Sequence, residues 1–286
     1  MAVTEAGRPA IIISSGMPLA RLYTASNVWM QKSYSMEDMG QYRQLNVGEE
    51  YQFSQYALLL AQNNGQECYL RFRDKANTAE CTIPAKQRRL LAIAPATVTV
   101  ERGEVDCLFL DFTLLAKLQV FIDKSMNKES IHCPRSLLAS MPTTLGNEPE
   151  QKELEYWLLH QTLLGTEGMA CFSNVLRQSE WYALVEFLFD SYRTNSTQRL
   201  QTLCARYGLS VSHFRRLSRR ALGNTAKSAL RDWRLGQALF ELINGDNNLT
   251  TIAMNHGYAS LSHFSNDVKE VIGVSPRNLK KLLQAS

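Results

Sequence analysis

The chain has 286 residues, 45% of them apolar and 20% charged, which is ordinary for a soluble globular protein able to bury a core without staples. Its six cysteines, Cys68, Cys81, Cys107, Cys133, Cys171 and Cys204, include no C-x-x-C pair, which argues against a zinc ribbon or disulfide framework and for a reducing cytoplasm. The net charge of +4 hides an asymmetry: from Asp190 onward 14 basic residues face 6 acidic ones, a net of +8, whereas the preceding part carries 17 against 21, a net of −4.

At the start of the chain Ile11, Ile12 and Ile13 stop at Ser14, too short a run for a signal peptide, and no stretch approaches the ~20 apolar residues of a membrane span. Export and membrane insertion are not expected. Short segments rich in β-branched and aromatic residues follow: Asn27–Tyr34, Tyr56–Ala61, Glu67–Arg73, Ala79–Ile83, Leu90–Val100 and Val105–Phe112. They predict an antiparallel sheet or a small barrel. Asn63-Asn64-Gly65-Gln66 and Arg102-Gly103-Glu104 have turn composition and predict hairpins between their flanking strands.

The period then shifts toward helix at Leu114, Leu115, Leu118, Phe121 and Ile122, and again from Leu154 to Leu164. Seven of the eight prolines lie at or before Pro149 and the eighth is Pro276, so the stretch between them is free to be helical. Within it Trp181–Phe189 is apolar on nearly every face and must be covered by the body, another copy or a partner.

The informative stretch begins at Thr197, which predicts a helix cap over Gln198–Tyr207, a turn at Gly208, and Ser210 capping a second helix, Val211–Leu222. Val211, Phe214, Leu217 and Ala221 share a face, while Ser212, Arg215, Arg216, Arg219 and Arg220 lie on others. This is helix-turn-helix grammar. Fifty residues on it recurs: Thr250 is expected to cap a helix to His256, Gly257 to turn, and Ser260 to cap a helix carrying Leu261, Phe264 and Val268. The units, about 198–222 and 250–272, are joined by a helix 226–244, whose nineteen residues span ~28 Å, near the ~34 Å turn of B-DNA. Ser275-Pro276 starts a closing helix.

Arginine forks match both phosphate oxygens and the O6/N7 edge of guanine. The basic face therefore suits DNA, with a merely solvated surface as the alternative. All five histidines, His132, His160, His213, His256 and His263, lie beyond residue 131, so the strand region has none for a metal centre, and no phosphate-loop or hydrolase signature occurs. Neither an enzyme, a metal site nor a cofactor is expected.

Gly257-Tyr258-Ala259-Ser260, His263-Phe264 and Gly273-Val274-Ser275-Pro276 resemble the DNA-binding domain of AraC/XylS-type transcription regulators. His213-Phe214-Arg215-Arg216-Leu217, Arg220-Ala221-Leu222-Gly223, Trp233-Arg234-Leu235 and Asn255-His256-Gly257-Tyr258 are similar to the InvF and MxiE type activators of type III secretion genes. The resemblance implies an α+β protein: an N-terminal regulatory, dimerisation or partner-binding domain, 1–185, with a small barrel-like sheet and packed helices, and a DNA-binding domain, 190–286, all-helical with a double helix-turn-helix. It implies base reading by Ser212, Arg215 and Arg216, and at the matching second-unit positions by Leu261, Ser262, Ser265 and Asn266. Asn266 departs from the family's frequent arginine, and Val268 from its frequent phenylalanine. Phosphate contacts are expected from Arg219, Arg220, Lys227 and Arg277. The partners implied are promoter double-stranded DNA, RNA polymerase and a small tetratricopeptide-type secretion chaperone, with a homodimer as a further option. Two alternatives stay open: a protein-binding scaffold with a generic basic surface, and a ligand-sensing regulator of the same wider family.

Overall fold

A computed structural model describes residues 32–34, 39–63, 65–126, 135–194, 200–245 and 247–284. Its N-terminal strands are β1 (Lys32–Tyr34), β2 (Tyr42–Leu45), β3 (Glu50–Phe53), β4 (Ala57–Gln62), β5 (Cys68–Arg73), β6 (Thr78–Ile83), β7 (Arg88–Ile93), β8 (Ala96–Arg102) and β9 (Val105–Leu110), with β10 (Leu138–Pro142) added later in the chain. They form two five-stranded sheets, ordered β1-β3-β8-β5-β6 and β10-β7-β4-β9-β2. The α+β class holds, but among the described residues the strands stack as two sheets and no barrel closes.

Strand composition follows from layer position. In the first sheet β5 and β8 alternate buried and half-buried residues, Cys68, Leu70 and Phe72 or Ala96, Val98 and Val100 pointing inward. In the second sheet the inner strands β4, β7 and β9 are covered on both faces and are buried and apolar at consecutive positions. Leu59 and Ala61 of β4 join the inter-sheet core with Tyr51, Phe72, Val98 and Phe109. Their neighbours Leu58 and Leu60 point the other way, into a core shared with helices.

Both expected hairpins are absent, because each turn passes the chain between sheets. β4 pairs with β7 and β9, whereas β5 pairs with β6 and β8. The buried Asn63 side chain holds the first corner by donating to the carbonyls of Gln66, at 2.6 Å, and Ile83, at 2.9 Å. At the second corner a Cβ on Gly103, which sits at φ +73°, would lie 2.8 Å from the Glu67 carbonyl oxygen. Only glycine fits there. The segment expected as one strand, Leu90–Val100, breaks into β7 and β8 around Pro95, and Ala94 donates to the Leu137 carbonyl just before β10. β2, β3 and β10 were not expected, being short or flanked by polar residues. Of Asn27–Tyr34 only 32–34 fall among the described residues.

On the second sheet lie α1 (Phe112–Ser125), α2 (Gln151–Leu164), α3 (Met169–Arg177) and α4 (Glu180–Thr194). Asp111 caps α1 by accepting the Thr113 N–H at 2.9 Å. α4 is the helix that is apolar nearly all round, and Trp181, Leu184, Val185 and Leu188 are fully buried. The core it belongs to does not end at the body: it continues through Leu203, Cys204, Phe214, Leu217 and Ala221 of the first helix-turn-helix unit.

Asp123 of α1 is buried and anchors this layer, accepting from Arg177 at 2.7 Å through both carboxylate oxygens, from Tyr182 at 2.9 Å and from Gln119 at 3.0 Å. Burial alone would raise its pKa, but the Arg177 guanidinium and the Tyr182 hydroxyl outweigh it and hold the carboxyl below its usual range. The stabilisation is therefore complete above the ordinary aspartate pKa of about 4 and is lost as pH falls through the lowered native value. Replacing Asp123→Asn should lower stability by about 3 kcal/mol at neutral pH, since it removes the buried carboxylate of the Asp123–Arg177 ion pair. It should also flatten the acid limb of the unfolding profile, read by urea titration across pH.

Candidate nucleic-acid interface

Among the described residues six more helices follow: α5 (Leu200–Tyr207), α6 (Val211–Leu222), α7 (Ala226–Asn244), α8 (Leu249–Asn255), α9 (Leu261–Ile272) and α10 (Pro276–Gln284). Their ends are set by local chemistry. Ser210 and Ser260 cap α6 and α9 by accepting the N–H of His213 and His263, and Gly223 and Gly273 close the same helices in the left-handed region. Thr225 caps α7 through Ser228 N–H. The cap of α8 is Asn248, which accepts the Thr251 N–H at 2.8 Å, rather than Thr250; its amide oxygen occupies the capping position one residue before the helix. The expected cap Thr197 and its neighbour Gln198 lie outside the described residues, as do His132 and Cys133.

A shift of 50 residues carries α6 onto α9 end to end, and α4 onto the C-terminal part of α7. The repeat thus spans three helices, although the two copies bury different amounts. The first unit shares the core of the body. The second has its own small core of Leu235, Ala238, Leu242, Ile252, Ala253, Tyr258, Phe264 and Val268.

The face left over on α6 is cationic. Phe214, Leu217, Ser218 and Ala221 are buried, while Ser212, Arg215, Arg216, Arg219 and Arg220 are exposed. No carboxylate among the described residues lies in ion-pair range of these four arginines. Several arginines elsewhere are ion-paired: Arg177 with Asp123, Arg71 with Glu80 and Glu101, Arg231 with Asp267 and Glu270. Four like charges within two turns of one helix repel each other unless an anion intervenes.

α9 is different. Ser262 and Asn266 are exposed, Leu261 and Ser265 half-buried, and Asp267 is buried against α7. Lys227 and Arg277, in the first turns of α7 and α10, are exposed. Two histidines have structural contacts: His256 meets the Glu241 carboxylate at 2.6 Å, and the His263 ring packs edge-on against Tyr258. Hydrogen bonds from Asn247 and from His256 and Asn255 hold the Glu241 carboxyl below its usual range. Among the described residues no group of three or more His, Cys, Asp or Glu could hold a metal ion, and no helix is long and apolar enough to cross a membrane.

Residues 203–281 match the helix-turn-helix domain family. Invasion protein InvF of Salmonella typhimurium is 36% identical over 216 residues, covering 75% of this chain and 98% of InvF. The chain belongs to the AraC-type transcription regulators. Transcriptional regulator MxiE of Shigella flexneri is 39% identical over 108 residues, 38% of this chain and 51% of MxiE. The crystal structure of ToxT from Vibrio cholerae O395 aligns at 13% identity and a TM-score of 0.34 over 86% of this chain and 97% of that one. The match to InvF reaches well upstream of the helix-turn-helix family match, so this regulator shares more with its relatives than a DNA-binding module.

Sequence reasoning missed the ion-paired Arg231, Asp267 and Glu270. A signal was present, two acids three apart on α9 where α6 carries Leu217 and Arg220, but their partner lies 36 residues away.

The two cores should respond separately to truncation. Phe214→Ala and Phe264→Ala should each remove about 3–5 kcal/mol from the unit that holds the ring. By hydrogen exchange, Phe264→Ala should expose α8, α9 and the C-terminal part of α7 while α1 and α4 stay protected. Phe214→Ala should loosen α1 and α4 as well.

Proposed function

We propose that this regulator is a sequence-specific activator of type III secretion genes, acting in the cytoplasm on promoter double-stranded DNA together with RNA polymerase. The observation that carries the reading is the unpaired arginine face of α6, held on a capped helix whose other side is locked into the core. In this reading Ser212, Arg215 and Arg216 read bases, and Arg219, Arg220, Lys227 and Arg277 take phosphates. Leu261, Ser262, Ser265 and Asn266 form the second reading surface, where the Asn266 amide suits adenine. The likeness to InvF and MxiE supports the choice of genes. Residues 1–185 are the regulatory part, serving dimerisation or binding of a tetratricopeptide-type secretion chaperone, and 190–286 the DNA-binding part. The functional boundary then crosses a continuous core, so a partner bound to the body acts on a first unit packed directly against it.

Binding of purified protein to promoter and scrambled duplexes across a salt series tests this, with and without the candidate chaperone. A steep log-log salt slope counts phosphate contacts, and the ratio between duplexes measures base reading. Arg215→Ala with Arg216→Ala should cost about 1–3 kcal/mol per bidentate base contact and abolish the preference for promoter DNA. Unchanged promoter activation by that double variant would refute the reading.

A further inference from the structure

The two repeats are built alike but charged oppositely at one helix junction. At a spacing of 50 residues, Trp181, Leu217 and Arg220 of the first unit correspond to Arg231, Asp267 and Glu270 of the second. The first unit therefore has two apolar residues buried in one core and an exposed arginine where the second has an ion-pair cluster. Arg231 of α7 donates to Asp267 at 3.2 Å through Nε and at 2.9 Å through Nη2, and Nη2 also contacts the Glu270 carboxylate. Asp267 is buried at this junction, whereas Glu270 is exposed on the recognition helix, at the position where α6 offers Arg220.

Without Arg231, α9 would approach DNA with Lys269 as its one cation against two carboxylates. Phosphates would meet a net negative helix and be repelled. We propose that Arg231 is a positioning residue for DNA binding by the second unit, balancing Asp267 and Glu270 together with Lys269 and holding the Glu270 carboxylate toward α7, so that Ser262 and Asn266 reach the groove beside a neutral surface. The proposal rests on the DNA-binding reading above. The guanidinium is held firmly protonated by the same two carboxylates.

The test uses the full-length protein and a duplex that the wild-type protein itself selects from a random pool, with a scrambled duplex as reference. Arg231→Met should weaken binding of the selected duplex by roughly tenfold at low salt, the deficit shrinking as salt screens Glu270. Because Arg231→Met also strands a buried carboxylate, a second variant adds Asp267→Leu, restoring an apolar pair as in the first unit. That protein should keep wild-type thermal stability within a few degrees and still bind weakly, because Glu270, although matched in number by Lys269, is no longer held toward α7. Adding Glu270→Gln to it should return affinity to within about twofold of wild type, since the remaining carboxylate is then gone. Wild-type affinity in Arg231→Met overturns the proposal, as does a deficit that Glu270→Gln leaves untouched, which would make Arg231 a fold prop only. Failure of the wild-type protein to select any sequence overturns the DNA-binding reading instead, and this proposal with it.

Discussion

α4 holds the architecture together. A helix with Trp181, Leu184, Val185 and Leu188 buried, and Phe187 and Phe189 packed at its flanks, cannot present a face to water. Each such side chain contributes about 1.5–3 kcal/mol when removed from solvent. The protein meets the demand from both sides, with the sheet-borne helices on one flank and the first helix-turn-helix unit on the other. Phe121 of α1 and Phe189 of α4 meet Trp233 of α7 at 5.7 and 5.9 Å between ring centroids. Lys124 of α1 adds ion pairs to Glu186 at 3.1 Å and Asp190 at 2.9 Å.

From this packing follows an asymmetry between two units that share a sequence grammar. The first unit is a continuation of the body, and α6 shares the body's core. The second hangs on α7 with a core of its own and a junction closed by ions rather than by tryptophan. Rigid packing and a dense arginine face coincide on α6, whereas α9 combines a smaller core with a nearly neutral surface. α6 thus carries the dense positive charge, and α9 a nearly neutral face at the far end of α7.

Much of the candidate interface was legible from the chain because its determinants are local. A serine cap, a glycine at positive φ and an apolar stripe at helical spacing act within one helix and its turns, so α6, α7 and α9 begin and end where Ser210, Thr225, Ser260, Gly223 and Gly273 place them. The strand region was less legible. Corner residues such as Asn63 and Gly103 have hairpin composition, yet Asn63 is satisfied by Ile83, twenty residues away, and Gly103 by its approach to Glu67. The doubly buried strands β4 and β7 read only as apolar runs, which do not say what covers each face.

By itself, then, the sequence determined the tandem helix-turn-helix units, their spacing by a nineteen-residue helix, the arginine face of α6 and the membership of a regulator family. Caps, periodicity and charge are properties of neighbouring residues, and they persist whatever the rest of the chain does. Only the tertiary structure decided that the strands form two stacked sheets, that the first unit is fused to them through α4, and that Arg231 pairs with Asp267 and Glu270. Those outcomes depend on residues far apart in the chain, brought together by burial of apolar faces that have no local partner.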